Sequence, residues 1–434
     1  IVFKMNRLQN KLELLSGEFN NQNNPNSGVN INKVYSETSS TYIDIHDNTF
    51  FINKDEFIWT SEKDGFNHIY LINYSSNKER KLTSGKWDVT EVYGYNSKYQ
   101  TIYFQAAKKS PTDKEIYSLN LKTNQLNQIS TLKGTNEADF SSDFQYFINT
   151  HSDANRPHTF TLNNKKGKVL KVLEDNKKLS KRMDEYDLVE KTFFKIPNQE
   201  GLELNAWIMK PKVLDTVKKH PLLMFVYGGP GNNTVNNSWS WMNYFWFQYL
   251  VKQGFVVISV DNRGTGYRGK DFKHSTYLQL GKLETEDQIS AAIHMGKLNY
   301  IDKDKIGIFG WSYGGYMSSL CISKGADVFI SHCPERVMPG KILQEIISNS
   351  RIIGGITSDC AVKAKELYSL FVEGDCVLTD SRTAELAKLA ENAFRDTNIA
   401  YANELSMLCK KLNIDVWHLI ELANHHPRVN ILQP

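Results

Sequence analysis

Cysteine is missing from the first 320 residues of this 434-residue chain. All five cysteines follow, at Cys321, Cys333, Cys360, Cys376 and Cys409. No two of them form a Cys-x-x-Cys pair, so we expect no zinc site. Tryptophan shows the opposite distribution, with seven of eight at or before Trp311. The chain therefore changes character near residue 325.

Long hydrophobic runs and an excess of one charge are also missing. The longest apolar runs, such as residues 255–258, are far shorter than the roughly 18 residues that a membrane helix needs. The 52 basic and 48 acidic residues leave a formal net charge of +4, which gives no reason to expect nucleic acid or a membrane as partner. A hydrophobic share of 40% indicates a globular chain, long enough for two or three domains. It begins at Ile1 without a signal peptide, and we expect its true start upstream.

Residues 1–175 have the composition of β-structure. Short aromatic and β-branched runs alternate with turns rich in Asn, Asp, Gly and Ser. Similar runs contain Trp59, Tyr103 and Phe147, which are 44 residues apart. A period of about 40–45 residues is typical of propeller blades. We predict a partial β-propeller of about three blades, too few to close a ring; a β-sandwich with accidental spacing is the alternative.

The pattern changes in residues 176–329. Near-continuous apolar runs at 221–227 and 255–260 suit strands that are buried on both faces. Helices are expected at 241–254 and 283–297, the latter with acidic residues in its first turn. Alternating strands and helices predict an α/β sheet with right-handed crossovers.

A candidate nucleophile lies in this region, in the motif Gly310-Trp311-Ser312-Tyr313-Gly314. An apolar run precedes the motif and a run of small residues follows it, and this strand–turn–helix context indicates a nucleophile elbow. Glycine flanks Ser312 because so tight a turn leaves little room for a Cβ. The backbone N–H of Tyr313 would then face a developing oxyanion.

The loop after the first apolar strand is the second candidate, with the sequence Tyr227-Gly228-Gly229-Pro230-Gly231. An α/β-hydrolase builds the other half of its oxyanion hole at this position. The Tyr227 hydroxyl or a backbone N–H could face Ser312, and an ordinary Gly-Pro turn is the alternative.

Residues 1 to about 328 resemble the dipeptidyl peptidase IV-like enzymes of the prolyl oligopeptidase family. The motifs that carry the resemblance are residues 227–231, 260–266, 280–288 and 310–316. It implies a β-propeller joined to an α/β-hydrolase, of which residues 176–329 are the N-terminal half. It also implies a peptide substrate, from which an N-terminal dipeptide with Pro or Ala second is removed. By this resemblance Ser312 is the nucleophile and Tyr227 supplies an oxyanion hydroxyl. Tyr313 supplies a backbone N–H and one wall of the proline pocket.

A serine nucleophile also needs a base and an orienting carboxylate. In α/β-hydrolases these follow the serine as Asp and then His, but only 122 residues follow Ser312. The best candidates are Asp380 and either His425 or His426. Asp380 fits a helix N-cap better, and the two histidines fit a helix end. We therefore predict that the triad Asp and His are missing and that this chain alone has no useful peptidase activity.

Residues 330–434 resemble an unrelated family, the nucleotide-sugar dehydrogenases, with the UDP-N-acetyl-D-mannosamine dehydrogenase branch most similar. The motifs are residues 333–337, 351–355, 384–395 and 423–430. The resemblance implies a mainly α-helical segment with active-site residues Glu335, Lys388 and Asn392. Lys388 and Asn392 share one helix face; a solvated surface lysine is the alternative. Residues 380–413 predict one long helix, through which a homodimer could form.

This family binds NAD on a Gly-x-Gly-x-x-Gly turn between a strand and a helix. We expect that turn to be absent upstream, since Gly228-Gly229-Pro230-Gly231 does not fit it, and we expect the family's thiolate nucleophile beyond Pro434. We therefore expect neither metal nor cofactor; NAD would matter only to a complete dehydrogenase.

The chain is best interpreted as a chimera with a junction between Cys321 and Cys333. Two alternatives stay open: a dehydrogenase fragment with a peptidase-like extension, and a β-propeller interaction protein without chemistry. The compartment also stays open. The peptidase resemblance implies the periplasm or the exterior, and the dehydrogenase resemblance implies the cytoplasm.

Overall fold

A computed structural model describes residues 2–19, 29–240, 242–324, 329–334, 336–337 and 340–432. Spatial contacts divide the chain into two units. The N-terminal unit comprises the residues up to Cys321, and the C-terminal unit comprises those from Phe329 onwards together with residues 322–324, of which 322 and 323 end the helix that begins at Tyr313.

The first half of the N-terminal unit is built of antiparallel sheets whose strands follow one another in sequence. The first sheet has three strands: β1 (Val2–Met5), β2 (Lys11–Phe19) and β3 (Val29–Thr38). Three four-stranded sheets follow: β4 (Phe50–Phe51), β5 (Glu56–Ser61), β6 (His68–Asn73) and β7 (Lys78–Lys81); β8 (Val89–Asn96), β9 (Thr101–Ala106), β10 (Glu115–Asn120) and β11 (Leu126–Gln128); β12 (Thr135–Phe140), β13 (Tyr146–Asp153), β14 (Arg156–Asn164) and β15 (Val169–Glu174). Trp59, Tyr103 and Phe147 each lie on the second strand of a four-stranded sheet, so their 44-residue spacing corresponds to one sheet.

Successive sheets pack against each other through apolar side chains. Leu12 and Leu14 of the first sheet share a buried cluster with Trp59 of the second. In the same way, Tyr103 of the third sheet packs with Phe147 of the fourth. Burying an apolar side chain of this size contributes about 1.5–3 kcal/mol. These clusters therefore contribute to stability by joining neighbouring sheets.

A mixed sheet with helices makes up the rest of the N-terminal unit. Its strands are β16 (Thr192–Pro197), β17 (Glu203–Met209), β18 (His220–Phe225), β19 (Val256–Asp261) and β20 (Ile301–Phe309), in the spatial order β16-β17-β19-β18-β20. The helices of this unit are α1 (Lys177–Asp184), α2 (Met242–Lys252), α3 (Lys270–His274), α4 (Leu283–Gly296) and α5 (Tyr313–Ser323). Strand β18 is parallel to both β19 and β20. Every residue of β19 is buried, as its continuous apolar run predicts.

The C-terminal unit combines helices with short strands. Its elements are β21 (Phe329–His332), α6 (Ile342–Ser348), β22 (Arg351–Gly355), α7 (Ser358–Tyr368), β23 (Cys376–Asp380), α8 (Ser381–Leu412) and α9 (Val416–Asn424). Helix α8 matches the predicted long helix. It begins after Asp380, whose side chain accepts the N–H of Thr383, and ends at Asn413 in a left-handed conformation with φ 55°. Strands β22 and β23 pair in parallel. The prediction of a mainly α-helical segment did not include these strands.

The length and hydropathy of the helices show whether any of them could cross a membrane. In the part of the chain that the structure describes, no helix is at once long and apolar enough to span a bilayer.

Candidate active site

Ser312 lies on the turn between strand β20 and helix α5, and its side chain is exposed. The backbone φ of Ser312 is 54°, in the left-handed region that non-glycine residues seldom occupy. That conformation costs about 1–2 kcal/mol for an L-residue. Backbone strain at an exposed hydroxyl is typical of functional sites, so the local geometry agrees with an elbow that presents a nucleophile.

Gly310 and Gly314 make this turn possible because a carbonyl group occupies the space where their side chains would be. A Cβ on Gly310 would lie 2.0 Å from the carbonyl oxygen of Val226, and a Cβ on Gly314 would lie 2.1 Å from the same oxygen. Val226 directly follows strand β18 and donates its N–H to the carbonyl of Phe309, at 3.0 Å. The elbow is therefore packed onto the end of the neighbouring strand, and both flanking positions are restricted to glycine.

Tyr227 comes next in the chain, so it lies at the same sheet edge as Ser312. The ring centroids of Tyr227 and Tyr313 are 6.2 Å apart. Gly229 lies against both rings, since its Cβ would be 2.8 Å from Cε1 of Tyr227 and 3.1 Å from Cγ of Tyr313. The structure thus brings together the three residues that the peptidase resemblance selects, Ser312, Tyr227 and Tyr313.

Two buried amide side chains fix the loop that carries Tyr227. Asn262 donates from Nδ2 to the carbonyl of Gly228, at 3.0 Å. Gln288 in turn donates from Nε2 to Oδ1 of Asn262, at 2.9 Å. Both residues lie in motifs that carry the resemblance, although sequence reasoning assigned neither of them a role. Each of these bonds uses an amide N–H as donor, and Asn262 also uses its amide oxygen as acceptor.

The Tyr313 side chain is held by a carboxylate that sequence reasoning missed. Its hydroxyl donates to Oε1 of Glu284, at 2.9 Å, and Glu284 is 0% exposed. The other oxygen of Glu284 accepts the N–H of Gly281, at 2.9 Å. Burial, reinforced by Glu284, raises the pKa of Tyr313 above its usual range, so the phenol stays a donor at any physiological pH. This bond fixes Tyr313 and with it the first turn of α5.

The Ser312 hydroxyl makes no hydrogen bond to a histidine or to any other group in the part of the chain that the structure describes. His220 is occupied elsewhere, between the N–H of Asp215 and the carbonyl of Gly254. His274 lies between Thr41 and Glu62.

Asp380, His425 and His426, the candidates for the remaining triad residues, make local contacts within the C-terminal unit. Asp380 caps helix α8 through its bond to Thr383, as the cap interpretation predicted. His425 and His426 are exposed and follow helix α9. Nδ1 of His426 accepts the N–H of Arg428, at 3.3 Å.

The dehydrogenase-like residues lie on helix α8 or outside the described part. Lys388 is half-buried and Asn392 is exposed one turn later. Oδ1 of Asn392 accepts a bond from Arg395, at 3.2 Å. Glu335 lies outside the described residues. The structure therefore shows one shared face for Lys388 and Asn392 and gives no geometry for the third residue.

The Gly-x-Gly-x-x-Gly spacing, which we expected to be absent, does occur, in residues 264–269 between strand β19 and helix α3. Protein atoms fill the space at these glycines. A Cβ on Gly266 would lie 2.8 Å from the carbonyl oxygen of Gly231, and one on Gly269 would lie 2.7 Å from that of Gly65. The N–H of Gly269 is bound to Asp88, at 3.1 Å, and helix α3 has only five residues. These contacts leave no cradle for a pyrophosphate, so the turn does not fit NAD.

Comparison with known proteins divides the chain in two. Residues 1–158 match the Dipeptidyl peptidase IV (DPP IV) N-terminal region, and residues 241–336 match the Prolyl oligopeptidase family. Two parts of the UDP-glucose/GDP-mannose dehydrogenase family match later in the chain: its NAD binding domain at residues 305–372 and its central domain at residues 382–434. The N-terminal region thus matches one family and the C-terminal region another, which confirms both resemblances and is the arrangement expected of a chimera.

Individual proteins give the same division. Dipeptidyl peptidase 4 of Trichophyton equinum is 33% identical over 282 residues, which cover 64% of this chain and 36% of that protein. UDP-N-acetyl-D-mannosamine dehydrogenase of Campylobacter jejuni is 62% identical over 109 residues, 25% of this chain and 27% of that protein. The crystal structure of Porphyromonas gingivalis dipeptidyl peptidase 4 superposes with a TM-score of 0.69 at 38% identity, covering 74% of this chain and 45% of that chain. This chain therefore spans about a third of the curated relatives it matches.

The first prediction concerns the contact between the elbow and Val226. Gly314→Ala should destabilise the N-terminal unit by about 3 kcal/mol, since overpacking against fixed backbone is poorly relieved. Gly315→Ala is the matched control, because the nearest atom to its Cβ is 3.5 Å away. In a helix that change should stabilise by about 0.5–1 kcal/mol. Urea unfolding followed by tryptophan fluorescence measures both, and equal midpoints for the two variants would contradict the geometry.

The second prediction concerns the buried carboxylate. Tyr313→Phe should cost about 1–3 kcal/mol, because it leaves Glu284 buried with one donor fewer. Tyr316→Phe is the control, since that exposed hydroxyl makes only a 3.4 Å contact with the carbonyl of Leu280, and it should change stability by less than about 0.5 kcal/mol. The same unfolding measurement applies. A loss for Tyr316→Phe as large as that for Tyr313→Phe would show that the bond to Glu284 is not the cause.

Proposed function

We propose that the N-terminal unit derives from a serine-type dipeptidyl peptidase that cleaves an N-terminal dipeptide with Pro or Ala in second position. The observation that carries the proposal is that Ser312 is exposed and has a left-handed backbone conformation. It lies between two positions that only glycine can occupy, since both pack against the end of strand β18. Regional similarity to dipeptidyl peptidases supports it. The three four-stranded sheets are then the three predicted blades of a partial β-propeller over residues 1–175, and residues 176–329 are the hydrolase part.

In this proposal Ser312 attacks the carbonyl carbon after the second residue of the peptide. A base must take the hydroxyl proton as the C–O bond forms and give it to the leaving amine as the C–N bond breaks. Water then hydrolyses the acyl-enzyme and releases the dipeptide. The Tyr227 hydroxyl and the Tyr313 backbone N–H stabilise the oxyanion, each donor contributing about 10²–10³ in rate. Glu284 acts through Tyr313 by holding that residue in place, and no metal or cofactor takes part.

We further propose that this chain is inactive as a peptidase. The Ser312 hydroxyl has no hydrogen-bonded base in the described part of the chain, and loss of the base costs on the order of 10⁶ in kcat. The remaining oxyanion donors cannot compensate for a loss of that size.

The third prediction tests this inactivity. The purified chain should release no chromophore from a Gly-Pro chromogenic substrate above the buffer blank. Ser312→Ala is measured in parallel, because residual release that is identical in both proteins comes from a contaminating peptidase. Release that Ser312→Ala abolishes would contradict the proposed inactivity while supporting the assignment of the nucleophile.

A second candidate concerns the C-terminal unit, residues 330–434, which we propose to be a fragment of a nucleotide-sugar dehydrogenase with Glu335, Lys388 and Asn392 as remnants of its active site. Its support is the 62% identity to a UDP-N-acetyl-D-mannosamine dehydrogenase. The glycine turn of the N-terminal unit does not fit NAD, and the match to the family's NAD binding domain covers residues 305–372 alone.

Helix α8 favours self-association of this unit. Phe394, Tyr401 and Leu408 follow one another at seven-residue intervals, which places them on one face. They are 71%, 53% and 51% exposed. We propose that two copies of the chain bury this face against each other, forming a homodimer through the helix of residues 380–413.

The fourth prediction tests this dimer. The chain should have twice its monomer mass of 49.8 kDa in light scattering at micromolar concentration. Phe394→Lys should shift the mass to the monomer, because a charge in an apolar interface is costly. Asp396→Lys, at an exposed position two residues from Phe394 and thus on the opposite side of the same helix, is the control and should leave the dimer intact. A monomeric parent chain would exclude this role of α8.

A further inference from the structure

Strand β15 (residues 169–174) is the last strand of the fourth antiparallel sheet and forms one of its edges. All six of its residues are exposed. Four of the six are apolar, and each is about half exposed: Val169, Leu170, Val172 and Leu173. A sheet with one face on the core alternates buried apolar with exposed polar residues, so apolar residues exposed at neighbouring positions need another explanation.

The last strands of the second and third sheets, β7 and β11, also form sheet edges. Strand β7 has the sequence Lys-Glu-Arg-Lys and is exposed throughout, and β11 has the sequence Leu-Asn-Gln and is mostly exposed. The repeated four-stranded architecture therefore does not require apolar side chains at this edge. A contiguous exposed apolar patch with a polar rim is typical of a surface that binds a partner.

Lysines border the apolar side chains of β15. The turn between β14 and β15 contains Lys165, Lys166 and Lys168, and Lys171 lies within β15 itself. Asn164 orders the turn, because its Oδ1 accepts the N–H of Lys166 at 3.0 Å and that of Lys168 at 3.1 Å. The basic side chains are thus presented by a defined backbone beside the apolar ones.

The segment of residues 165–182 has a strong local excess of positive charge. It contains eight basic and two acidic residues, so its net charge is +6, whereas that of the whole chain is +4. Lys177 pairs with Asp175, and the other seven basic side chains form no ion pair with the residues that the structure describes. The balanced charge of the whole chain, from which we expected no membrane partner, therefore does not describe this surface.

Two exposed tyrosines lie beside the turn. Nζ of Lys165 is 3.2 Å from the ring centroid of Tyr99, and Tyr146 pairs with Asn164 between strands β13 and β14. Tyrosine is enriched at membrane–water interfaces because its ring is apolar and its hydroxyl is polar. Residues 164–174 with Tyr99 and Tyr146, called the β15 surface below, thus combine apolar, basic and amphipathic side chains.

The pairing and charge of β15 disfavour a second protein strand on this surface. The register of β14 against β15 shifts twice, between Phe160 and Thr161 and between Leu162 and Asn163. Such irregularities bend an edge strand and protect it against pairing with another edge. A second copy would also place lysines against lysines, which repel each other. Nucleic acid would attract the lysines but would leave the apolar side chains in water.

We propose that the β15 surface binds a lipid bilayer that contains anionic headgroups. The valine and leucine side chains enter the boundary between headgroups and acyl chains, where burial of apolar area is favourable. The lysines stay among the headgroups on their flexible stems, and each contributes about fivefold in affinity near an anionic surface. The proposal uses no residue of the candidate active site, so it is independent of the peptidase assignment.

Co-sedimentation of the intact chain with lipid vesicles tests the proposal. The chain should bind vesicles of phosphatidylcholine with about 30% phosphatidylserine at least roughly tenfold more tightly than vesicles of phosphatidylcholine alone. High salt should weaken this binding, because it screens the lysines. Equal binding to both kinds of vesicle, or no binding to either, overturns the proposal.

Two variants test the basic part of the surface. Lys166→Glu combined with Lys168→Glu should weaken binding to the anionic vesicles by roughly 25-fold or more, since two favourable charges are lost. Lys78→Glu combined with Arg80→Glu is the matched control. It changes the net charge equally, at exposed positions of strand β7, and should bind nearly as the parent chain does. Equal losses in the two double variants would show that net charge alone is responsible and would overturn the assignment to β15.

The apolar part is tested by Leu173→Gln, which should weaken binding about fivefold because apolar burial in the bilayer is lost. Leu126→Gln on the corresponding strand β11 is its control and should have no effect. Undiminished binding by Leu173→Gln would reduce the contact to simple charge attraction and contradict the proposal. A lower mass of Leu173→Gln than of the parent in light scattering, without vesicle binding by either, would show that a second copy covers this surface instead.

Discussion

The carbonyl oxygen of Val226 is the contact on which the candidate site depends. It lies where the side chains of both Gly310 and Gly314 would be, so the turn between strand β20 and helix α5 is pressed against the end of strand β18. This approach leaves Ser312 in a left-handed conformation with its hydroxyl outward. The next residue after Val226 is Tyr227, and one short backbone segment therefore positions both candidate groups.

A layer of buried polar side chains behind this edge keeps it in place. Asn262 and Gln288 hold the loop after Val226, and Glu284 holds Tyr313. Beside them Arg263 pairs with Asp287, with the guanidinium and carboxylate 2.9 Å apart. Removing one member of a buried ion pair costs about 3–5 kcal/mol, because its partner is left unpaired. These groups tie helix α4 to the loop after strand β19 through hydrogen bonds and an ion pair.

The sequence predicted what depends on local pattern. Helix α8 matched because its cap, Asp380, and its long run of helix-forming residues are both local signals. The 44-residue spacing of Trp59, Tyr103 and Phe147 marked the repeated sheets because a repeated sheet repeats its sequence pattern. The elbow was visible because its glycines, strand and helix are consecutive.

What could not be predicted depends on contacts between distant parts of the chain. Glu284 looked like one acidic residue in a first helical turn, yet its partner Tyr313 is 29 residues away. Strands β22 and β23 are too short for their apolar runs to distinguish strand from helix. The glycine spacing at residues 264–269 matches a dinucleotide fingerprint in sequence, and only the fold shows that Gly65 and Asp88 fill that space.

The left-handed backbone conformation at residue 312 has a consequence for which residues the position favours. A glycine would adopt the same angle without steric cost, so thermodynamics alone disfavours serine there. If a lineage no longer needed the hydroxyl, random substitution would be free to replace it, and the protein would become slightly more robust. The presence of serine at so costly a position therefore supports the proposal that its hydroxyl, rather than its backbone, is what the position provides.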